Sequence, residues 1–367
     1  RAVAMRRYLL WGVITLGLLM VLGVALFEIR HQQGNREAAR INADFKVQPV
    51  SGFGSTTSLR ILPLIDFHTA DPGLATEVGV SYLVETDDYR ILFDVGQNAK
   101  QESPSPLQRN MKKLGIELAS IDLVFISHNH FDHVGGKQWQ SLKTFSLGLE
   151  QTPFPNPDTL AVVPDLMSYP GLSTQFASRP MPLGNGLGST GVGTTGVIPR
   201  QLAIGWIEEH SLVVNVEGLG GVLIVGCGHQ PVPNLVLRYE EAFGEPLYGI
   251  VGGLHFPVPE GRIKVGPIDG QRLLASGDGV FSPLDMSEVE QHIAMLKLRN
   301  LGVIAVGGHD SSDEVIERVR QEFGEAHRYV RVGEEIVIRA GKSGDSEQAE
   351  LPASSPPAGQ LFNSAVD

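Results

Sequence analysis

The sequence contains a single cysteine, Cys227, in 367 residues. An intrachain disulfide is therefore excluded, and a packed core, with any bound metal, has to stabilise the fold. Basic residues are also scarce relative to acidic ones, 29 against 41, which gives a formal net charge of −12. Such a chain lacks the basic surface that neutralises a phosphate backbone, so we expect no nucleic-acid partner.

Charge is absent altogether from one run near the start, Tyr8 to Phe27. At 1.5 Å per residue this run spans about 30 Å as a helix, which matches the apolar core of a bilayer. We predict that residues 1–29 form a membrane anchor. A cleaved signal peptide is the alternative, because Gly23 and Ala25 resemble a small-residue cleavage site.

Arginines flank the apolar run on both sides. Arg6 and Arg7 precede it, and the positive-inside tendency then keeps this end in the cytoplasm and exports the rest of the chain. Arg30, Arg36 and Arg40 follow the run and oppose that orientation. We expect a membrane-anchored protein whose catalytic domain lies on the periplasmic or extracytoplasmic side.

Three further segments lack the pattern of a packed domain. The polar stretch 30–58 is predicted to be a tether, and 341–367, rich in Ser, Pro, Ala and acidic residues, a disordered tail. The Pro- and Gly-rich stretch 149–199 is predicted to be a lid over the substrate, with a solvated insertion as the alternative. The catalytic domain is then 59–340.

Strands alternate with helices in this domain. Short β-branched or alternating runs predict strands, and apolar residues at helical spacing predict helices. The predicted strands are 59–64, 80–84, 90–93, 121–126, 211–216, 221–225, 248–251 and 303–306. The predicted helices are 105–114, 233–243, 287–298 and 312–323. Several strands end shortly before a histidine, which favours an α+β fold with outer helices and a site at the strand ends.

A dense cluster of ionisable side chains, His128, His130, Asp132 and His133, follows the predicted strand 121–126. Neutral imidazole and carboxylate bind zinc, and a catalytic site needs several such ligands with one position left for water. A single buried histidine is usually structural, but four candidate ligands together predict a metal centre. Their short spacing favours two ions, which in such sites lie about 3.5–4 Å apart.

The segment HNHFDHVGG resembles the H-x-H-x-D-H signature of the metallo-β-lactamase superfamily. The segments EVGVSYLVE, ILFDVGQNA, EEHSLVVNVEGLGGVLIVGCGHQ, IVGGLHF and VGGHD are similar to its dihydropteroate-synthase-like branch, which includes pterin ribofuranosyl-aminobenzene phosphate synthases. This resemblance covers about 59–338. It implies a four-layer αββα sandwich and two divalent metal ions, zinc before manganese or iron.

The resemblance also assigns ligands to the two ions. The histidine of the G-C-x-H motif falls on His229 and that of the last G-H motif on His309, where the branch usually continues with cysteine and this chain has Asp310. That departure bears on the substrate more than on metal binding. The implied ligand sets are His128, His130 and His229 for one ion, and Asp132, His133 and His309 for the other.

Four more residues stand near these motifs. His255, in the G-G-x-H motif, is predicted to be a ligand, a general acid or a substrate contact. Asp94 resembles an aspartate that orients a ligand imidazole. We interpret His210 as a structural or outer-sphere histidine, and Cys227 as a buried, inert thiol.

The predicted function is metal-dependent hydrolysis of an ester, lactone or phosphoester-type small molecule. A metal-bound hydroxide attacks, Asp132 orients it, and His255 assists at the substrate. One alternative is a group transferase that acts on pterin and aminobenzoate ribofuranosyl phosphate substrates, as the resemblance suggests. The other is a non-catalytic binding protein whose metals are structural.

Overall fold

Within residues 2–184 and 190–341, which the computed structural model describes, a seven-stranded β-sheet faces a six-stranded one. The first sheet contains, in spatial order, β17 (Ile336–Arg339), β1 (Ser58–Ile65), β2 (Ser81–Glu85), β3 (Arg90–Phe93), β4 (Leu123–Phe125), β5 (Leu160–Val163) and β6 (Ser173–Phe176). The second contains β16 (Val303–Val306), β13 (Leu247–Gly252), β12 (Gly220–Val225), β11 (Leu212–Val216), β8 (Val192–Thr194) and β7 (Met181–Pro182). Two hairpins lie outside the sheets, β9 (Ile198–Leu202) with β10 (Gly205–Glu209), and β14 (Lys264–Val265) with β15 (Ile268–Asp269).

The strands that precede the candidate site share a direction within each sheet. In the first sheet β3 and β4 pair in parallel, and β1 runs the same way as β3 because both are antiparallel to β2. In the second sheet β12, β13 and β16 pair in parallel. The carboxyl ends of these strands therefore gather at one edge of each sheet.

The described residues also form seven helices, five of which pack on the outer faces of the sheets. They are α1 (Ala2–Asp44), α2 (Pro106–Lys113), α3 (Lys137–Ser141), α4 (Val232–Phe243), α5 (Gly270–Ala275), α6 (Met286–Lys297) and α7 (Asp313–Phe323), with short 3₁₀ turns at Leu118–Ser120 and Gly324–Ala326. Several begin with a side-chain cap: Ser105 and Gln108 form a capping box on α2, and Asp285 and Glu288 form one on α6.

Successive side chains of a strand point to opposite faces of its sheet. One face of each sheet contacts the other sheet, and the opposite face contacts helices. Phe93 and Phe125 of the first sheet share the inner core with Ile224 of the second. Their strand neighbours Leu92 and Val124 point outwards into a second core with α2 and α3. A third core joins the second sheet to α4, α6 and α7. The predicted four-layer αββα sandwich is confirmed.

The segment 149–199 differs from the predicted lid. Its residues form β5 and β6 at the edge of the first sheet, then β7 and β8 at the edge of the second. Apolar side chains of β5 and β8 are buried, with Val162 and Val192 fully covered. Proline and glycine here mark turns between short edge strands, and the element that covers the candidate site is the next one, the hairpin β9–β10.

The segment 30–58 also differs from a simple tether. Residues 30–44 continue α1, since Gln, Arg, Glu and Ala favour helix, and pack against β9. Phe45 then lies under the guanidinium of Arg238, 3.8 Å from it, and the Val50 N–H donates to the Ala242 carbonyl at 2.7 Å. This segment is therefore part of the packed domain.

The first half of α1 is exposed and apolar. Among the described residues, the helix Arg6–Asp44 is long and apolar enough to cross a membrane, a property that signal sequences share. The predicted disordered tail, 341–367, lies outside the described residues except for Gly341.

Candidate metal centre

The carboxyl ends of five strands deliver the polar side chains of the site. The chain leaves β4 into His128, β12 into Cys227, β13 into His255 and β16 into His309, while β3 leads into Asp94. Every one of these side chains is buried. Residues far apart in sequence, such as Asp94 and His309, thus meet in one place.

Three imidazoles point their ring nitrogens at a common position, and we call them the three-histidine group. His128 Nε2 lies 3.0 Å from His130 Nδ1, which lies 3.1 Å from His229 Nε2. Two nitrogens bound to one tetrahedral zinc ion are separated by about 3.4 Å, given bonds of about 2.0–2.1 Å. The spacing of the three nitrogens is therefore close to that of a ligand set.

Hydrogen bonds fix the tautomer of His128. The Ser127 hydroxyl donates to Asp94 Oδ2 at 2.7 Å, and its oxygen lies 3.0 Å from His128 Nδ1. Since this hydroxyl has only one proton, Nδ1 of His128 has to donate to it. The lone pair of Nε2 is then directed towards the other two imidazoles, as metal binding requires.

The three imidazoles are neutral around pH 7. Burial lowers the pKa of His130 to about 4. Burial, with the neighbouring imidazoles, lowers the pKa of His128 and His229 well below its usual value. Neutral imidazole is the form that binds metal, so no proton has to be displaced.

A second set of donors, which we call the mixed group, surrounds the thiol of Cys227. His133 Nε2 lies 3.0 Å from Cys227 Sγ, and His309 Nε2 lies 3.5 Å from it. The carboxylates of Asp132 and Asp310 approach to 3.7 Å from His133 Nε2 and 3.6 Å from His309 Nε2, respectively. Thiol, imidazole and carboxylate thus converge beside the three-histidine group.

Charge in the mixed group favours a cation. Burial, with the nearby carboxylates of Asp132 and Asp310, raises the pKa of the Cys227 thiol well above its usual value. Burial opposes a charge on His309, but the carboxylates of Asp310 and Asp66 outweigh it and raise the pKa of this imidazole to about 9. Burial also raises the pKa of Asp132 to about 6. A divalent ion would replace the proton on His309 and stabilise the thiolate.

Asp94 orients His133 as predicted. The Nδ1–H of His133 donates to Asp94 Oδ2 at 2.7 Å, which leaves Nε2 free to face Cys227. Asp94 itself has φ of 51°, a left-handed conformation at the end of β3 that turns its carboxylate into the site.

His255 lies next to both groups. Its ring centroid is 4.4 Å from that of His229, and its Nδ1 is 3.9 Å from Asp310 Oδ2. Neither ring nitrogen has a hydrogen-bond partner among the described residues. His255 also lines a cavity of about 210 Å³ with His229 and Arg200. An imidazole with two unused nitrogens at a cavity wall is placed to meet a ligand.

Sequence reasoning missed two buried carboxylates. Asp310, treated only as a departure from the family pattern, accepts the His255 N–H at 3.0 Å, and burial raises its pKa to about 7. Glu209 accepts the N–H groups of Gly228 and His229 at 2.8 and 2.7 Å, and burial raises its pKa to about 8. An acidic residue directly beside an apolar strand, as in EEHSLVV, is the signal that identifies Glu209.

Glycine at the strand ends allows the two motifs to approach. A Cβ at Gly253 would overlap both Asp310 Oδ2 and the carbonyl oxygen of Gly226. Gly228 has φ of 73°, a conformation that residues with a Cβ rarely adopt. A Cβ at this position would also overlap the carbonyl oxygen of Gly253. The glycines of G-C-x-H and G-G-x-H therefore let His229 and His255 meet.

His210 and Cys227, both predicted to lie outside the ligand sets, have different surroundings. His210 has the predicted structural surroundings: Nε2 donates to the Ile126 carbonyl and Nδ1 accepts from Thr194 Oγ1, both at 2.8 Å. Cys227 is buried, but its contacts place the thiol among the donors rather than in apolar packing. These contacts differ from the surroundings expected of an inert core thiol.

The comparisons with known proteins agree on the fold. The model of the Metallo-beta-lactamase superfamily matches residues 75–322. The chain is 26% identical to the 7,8-dihydropterin-6-methyl-4-(beta-D-ribofuranosyl)-aminobenzene-5'-phosphate synthase of Methanocaldococcus jannaschii, over 55% of this chain and 79% of that protein.

One solved structure supports the same fold. Tm1679, a metal-dependent hydrolase of the beta-lactamase superfamily, superposes with a TM-score of 0.51 at 19% identity, over 77% of this chain and all of that one. The metallo-beta-lactamase fold protein YhfI from Bacillus subtilis gives 0.46 at 12% identity, over 76% and 99%. At these identities the likeness concerns the fold alone.

Proposed function

Because the chain belongs to the metallo-β-lactamase superfamily, we propose that it is a metal-dependent hydrolase with two divalent ions, zinc before manganese or iron. The observation that carries this proposal is the convergence of three neutral imidazole nitrogens at 3.0 and 3.1 Å beside a thiol- and carboxylate-containing second group. The nitrogens of the three-histidine group face one another, whereas those of His210 face a threonine hydroxyl and a backbone carbonyl.

In this proposal each group holds one ion. The three-histidine group provides His128, His130 and His229. The mixed group provides Asp132, His133 and His309, and we add the thiol of Cys227 to this set because it lies between the two imidazoles. Ions bound there supply Lewis acidity and lower the pKa of water towards neutrality.

The protein's own groups then position the reactants. Asp132, 3.7 Å from His133 Nε2, accepts a proton from the attacking water. His255 faces the cavity and hydrogen-bonds to the substrate. Hydrolysis adds the oxygen of water to the acyl or phosphoryl centre, the bond to the leaving oxygen breaks, and that oxygen takes the proton. An ester, lactone or phosphoester has this bond.

The test combines metal analysis with turnover in the full chain purified in detergent. We expect two ions per chain and hydrolysis of at least one member of a panel of esters, lactones and phosphodiesters. His128→Ala should abolish turnover, by more than about 10³-fold, because it removes a ligand of the three-histidine group. His327→Gln is the matched control, since His327 is also buried but lies beside Tyr329 outside both groups.

Metal without turnover of any substrate would contradict the hydrolase and favour a binding protein with structural metals. Turnover by the His128→Ala variant at the unaltered rate would also overturn the proposal.

A group transferase is the second candidate, and the name of the Methanocaldococcus relative is the observation that favours it. In that case the substrates are a pterin and an aminobenzoate ribofuranosyl phosphate. Incubation with such substrates distinguishes the two: turnover confined to them selects transfer, while turnover of simple esters without them selects hydrolysis.

We further propose that the first half of α1 anchors the protein in a membrane, with the domain on the periplasmic or extracytoplasmic side. The uncharged run 8–27 and the two arginines before it support this orientation. A reporter enzyme that is active only after export, fused at the C-terminus, should be active. An inactive reporter would show that the domain lies on the cytoplasmic side and would contradict the proposed orientation.

A further inference from the structure

The second half of α1 docks directly beside the candidate site. His31, only 3% exposed, places Nε2 2.9 Å from the carbonyl oxygen of Asp278, and Asn35 donates to the same carbonyl at 3.3 Å. Asp278 lines the cavity that also contains His229 and His255. The helix that carries the apolar run therefore forms a contact with the rim of the catalytic cavity.

The position of this contact along the helix sets its depth relative to a bilayer. His31 follows Phe27, the last residue of the uncharged run, by one helical turn, which is a rise of about 6 Å. The polar headgroup layer on each side of a bilayer is about 5–7 Å thick. If the run 8–27 spans the apolar core, the loop at Asp278 lies at the level of the headgroups.

The hairpin β9–β10 also extends towards the apolar half of α1. Asn42 donates to the Pro199 carbonyl at 3.2 Å, whereas Gly34, nearer the membrane end of α1, lies against Gln201. Strand β9 therefore runs along α1 from Asn42 towards the apolar half of the helix. The turn after Leu202 then reaches still further in that direction, because a strand rises about 3.3 Å per residue.

Large apolar side chains are exposed at this end of the molecule. Ile204 in the hairpin turn is 51% exposed, Trp206 on β10 is 40% exposed, and Phe281 in the loop after Asp278 is 72% exposed. Arg200 of β9 donates to Asp278 Oδ1 at 2.9 Å, so hairpin and loop are held together. Tryptophan and phenylalanine at such a position are typical of a membrane interface.

The cavities of the site open among these same residues. On one side of the hairpin is the cavity of about 210 Å³ lined by Arg200, His255 and Asp278. On the other is a cavity of about 310 Å³ lined by His130 together with Ile204 and Trp206. Each cavity is therefore lined both by a histidine of the candidate site and by residues of the hairpin β9–β10.

We propose that this face rests on the membrane that α1 spans, and that the substrate is an amphiphile which enters from the bilayer. The scissile ester-type group of such a molecule reaches the metal centre from the headgroup layer, while its apolar chain stays in the lipid. Ile204, Trp206 and Phe281 are the side chains that contact the lipid. This inference rests on the proposed anchor and hydrolase, and deepens them by naming the substrate class.

The first test measures depth and requires no activity. The full chain is placed in phosphatidylcholine–phosphatidylglycerol nanodiscs that contain a lipid with a nitroxide quencher near its headgroup. Trp11→Phe and Trp139→Phe leave Trp206 as the reporter. For the control, Trp206→Phe and Leu298→Trp move the reporter to Leu298, which is 79% exposed and precedes β16, at the opposite end of that strand from His309.

We expect the quencher lipid to remove most of the Trp206 fluorescence and to leave that of the Leu298→Trp reporter nearly unchanged. Equal quenching at the two positions, or none at Trp206, would overturn the proposal whether or not the protein hydrolyses anything.

The second test separates the substrate class from the reaction. Two esters with the same headgroup are compared, a short-chain one dissolved in water and a long-chain one in the nanodisc. Phe281→Ser should lower turnover of the long-chain ester severalfold and leave that of the soluble ester unchanged, since Phe281 lines neither cavity. An equal effect on both esters would contradict entry from the membrane. No turnover of either ester, with Trp206 quenched, would refute the hydrolase and retain the membrane contact.

Discussion

Two sets of histidines in this molecule, the three-histidine group and His210, have opposite surroundings. At the strand ends, His128, His130 and His229 turn their nitrogens towards one another at about the separation of metal ligands. One layer deeper, His210 stacks on Phe125 and satisfies both nitrogens, with a backbone carbonyl and a threonine hydroxyl. Complete hydrogen bonding therefore marks the structural histidine, and mutually facing nitrogens mark the candidate metal centre.

Acidity does not separate the two regions. Burial lowers the pKa of His210 to about 3 and that of His130 to about 4. Both imidazoles are neutral around pH 7, since desolvation penalises the charged form wherever it occurs. The chemistry of the partner atoms, rather than the shifted pKa, distinguishes a ligand from a core side chain.

Among the variants that test this comparison, Cys227→Ser is expected to have the largest effect, on metal content and turnover. The alcohol is a much weaker zinc ligand than a thiolate, so the mixed group should lose its ion while the three-histidine group retains one. Metal analysis should give about one ion per chain in place of two, with turnover reduced at least about 100-fold. Two ions retained in the variant would show that the thiol is not a ligand.

A smaller effect is expected behind the site, from His210→Gln. Removing the imidazole breaks two buried hydrogen bonds and the stack on Phe125, which should lower the free energy of unfolding by about 2 kcal/mol. Denaturant unfolding measures this loss. Metal content should stay that of the unaltered protein; a loss of either ion would break the distinction between the two regions.

The smallest effect concerns pH. The unfolded chain protonates His210 near pH 6.5, whereas the folded chain does so only near pH 3, so acidification favours unfolding between these values. The stability that neutral His210 provides is present above pH 6.5 and lost as the pH falls. The stability difference between the unaltered protein and His210→Gln should narrow by about 1 kcal/mol between pH 7 and pH 5.5. A constant difference would contradict the low pKa.

Much of this architecture is predictable from spacing alone. The predicted strands at 90–93 and 303–306 coincide with β3 and β16, and the helix predicted for 105–114 with α2. These elements have strong periodicity and a local stop signal, such as the capping serine of α2. The cluster at His128–His133 is likewise predictable, because four candidate ligands directly follow a strand in the chain.

The failures share one physical cause, which is pairing between distant segments. The strands inside 149–199 are short and lie at or next to a sheet edge, and β6 is mostly exposed, so the composition of the segment resembles a loop. Residues 30–44 fold against β9, which no local pattern indicates. Cys227 and Asp310 enter the metal centre only through contacts with His133 and His255, some 94 and 55 residues away in sequence.

The continuity of α1 has a consequence for how the protein could be released or shortened. The boundary between the proposed anchor and the folded domain lies inside a single helix, since the half after Phe27 is docked through His31 and continues into Phe45 and Val50. A protease that cut near Ala25 would set free a whole enzyme that keeps its docked half-helix. Truncation at Ser58, in contrast, would strip away part of the fold and expose the surface of α4 that this segment covers.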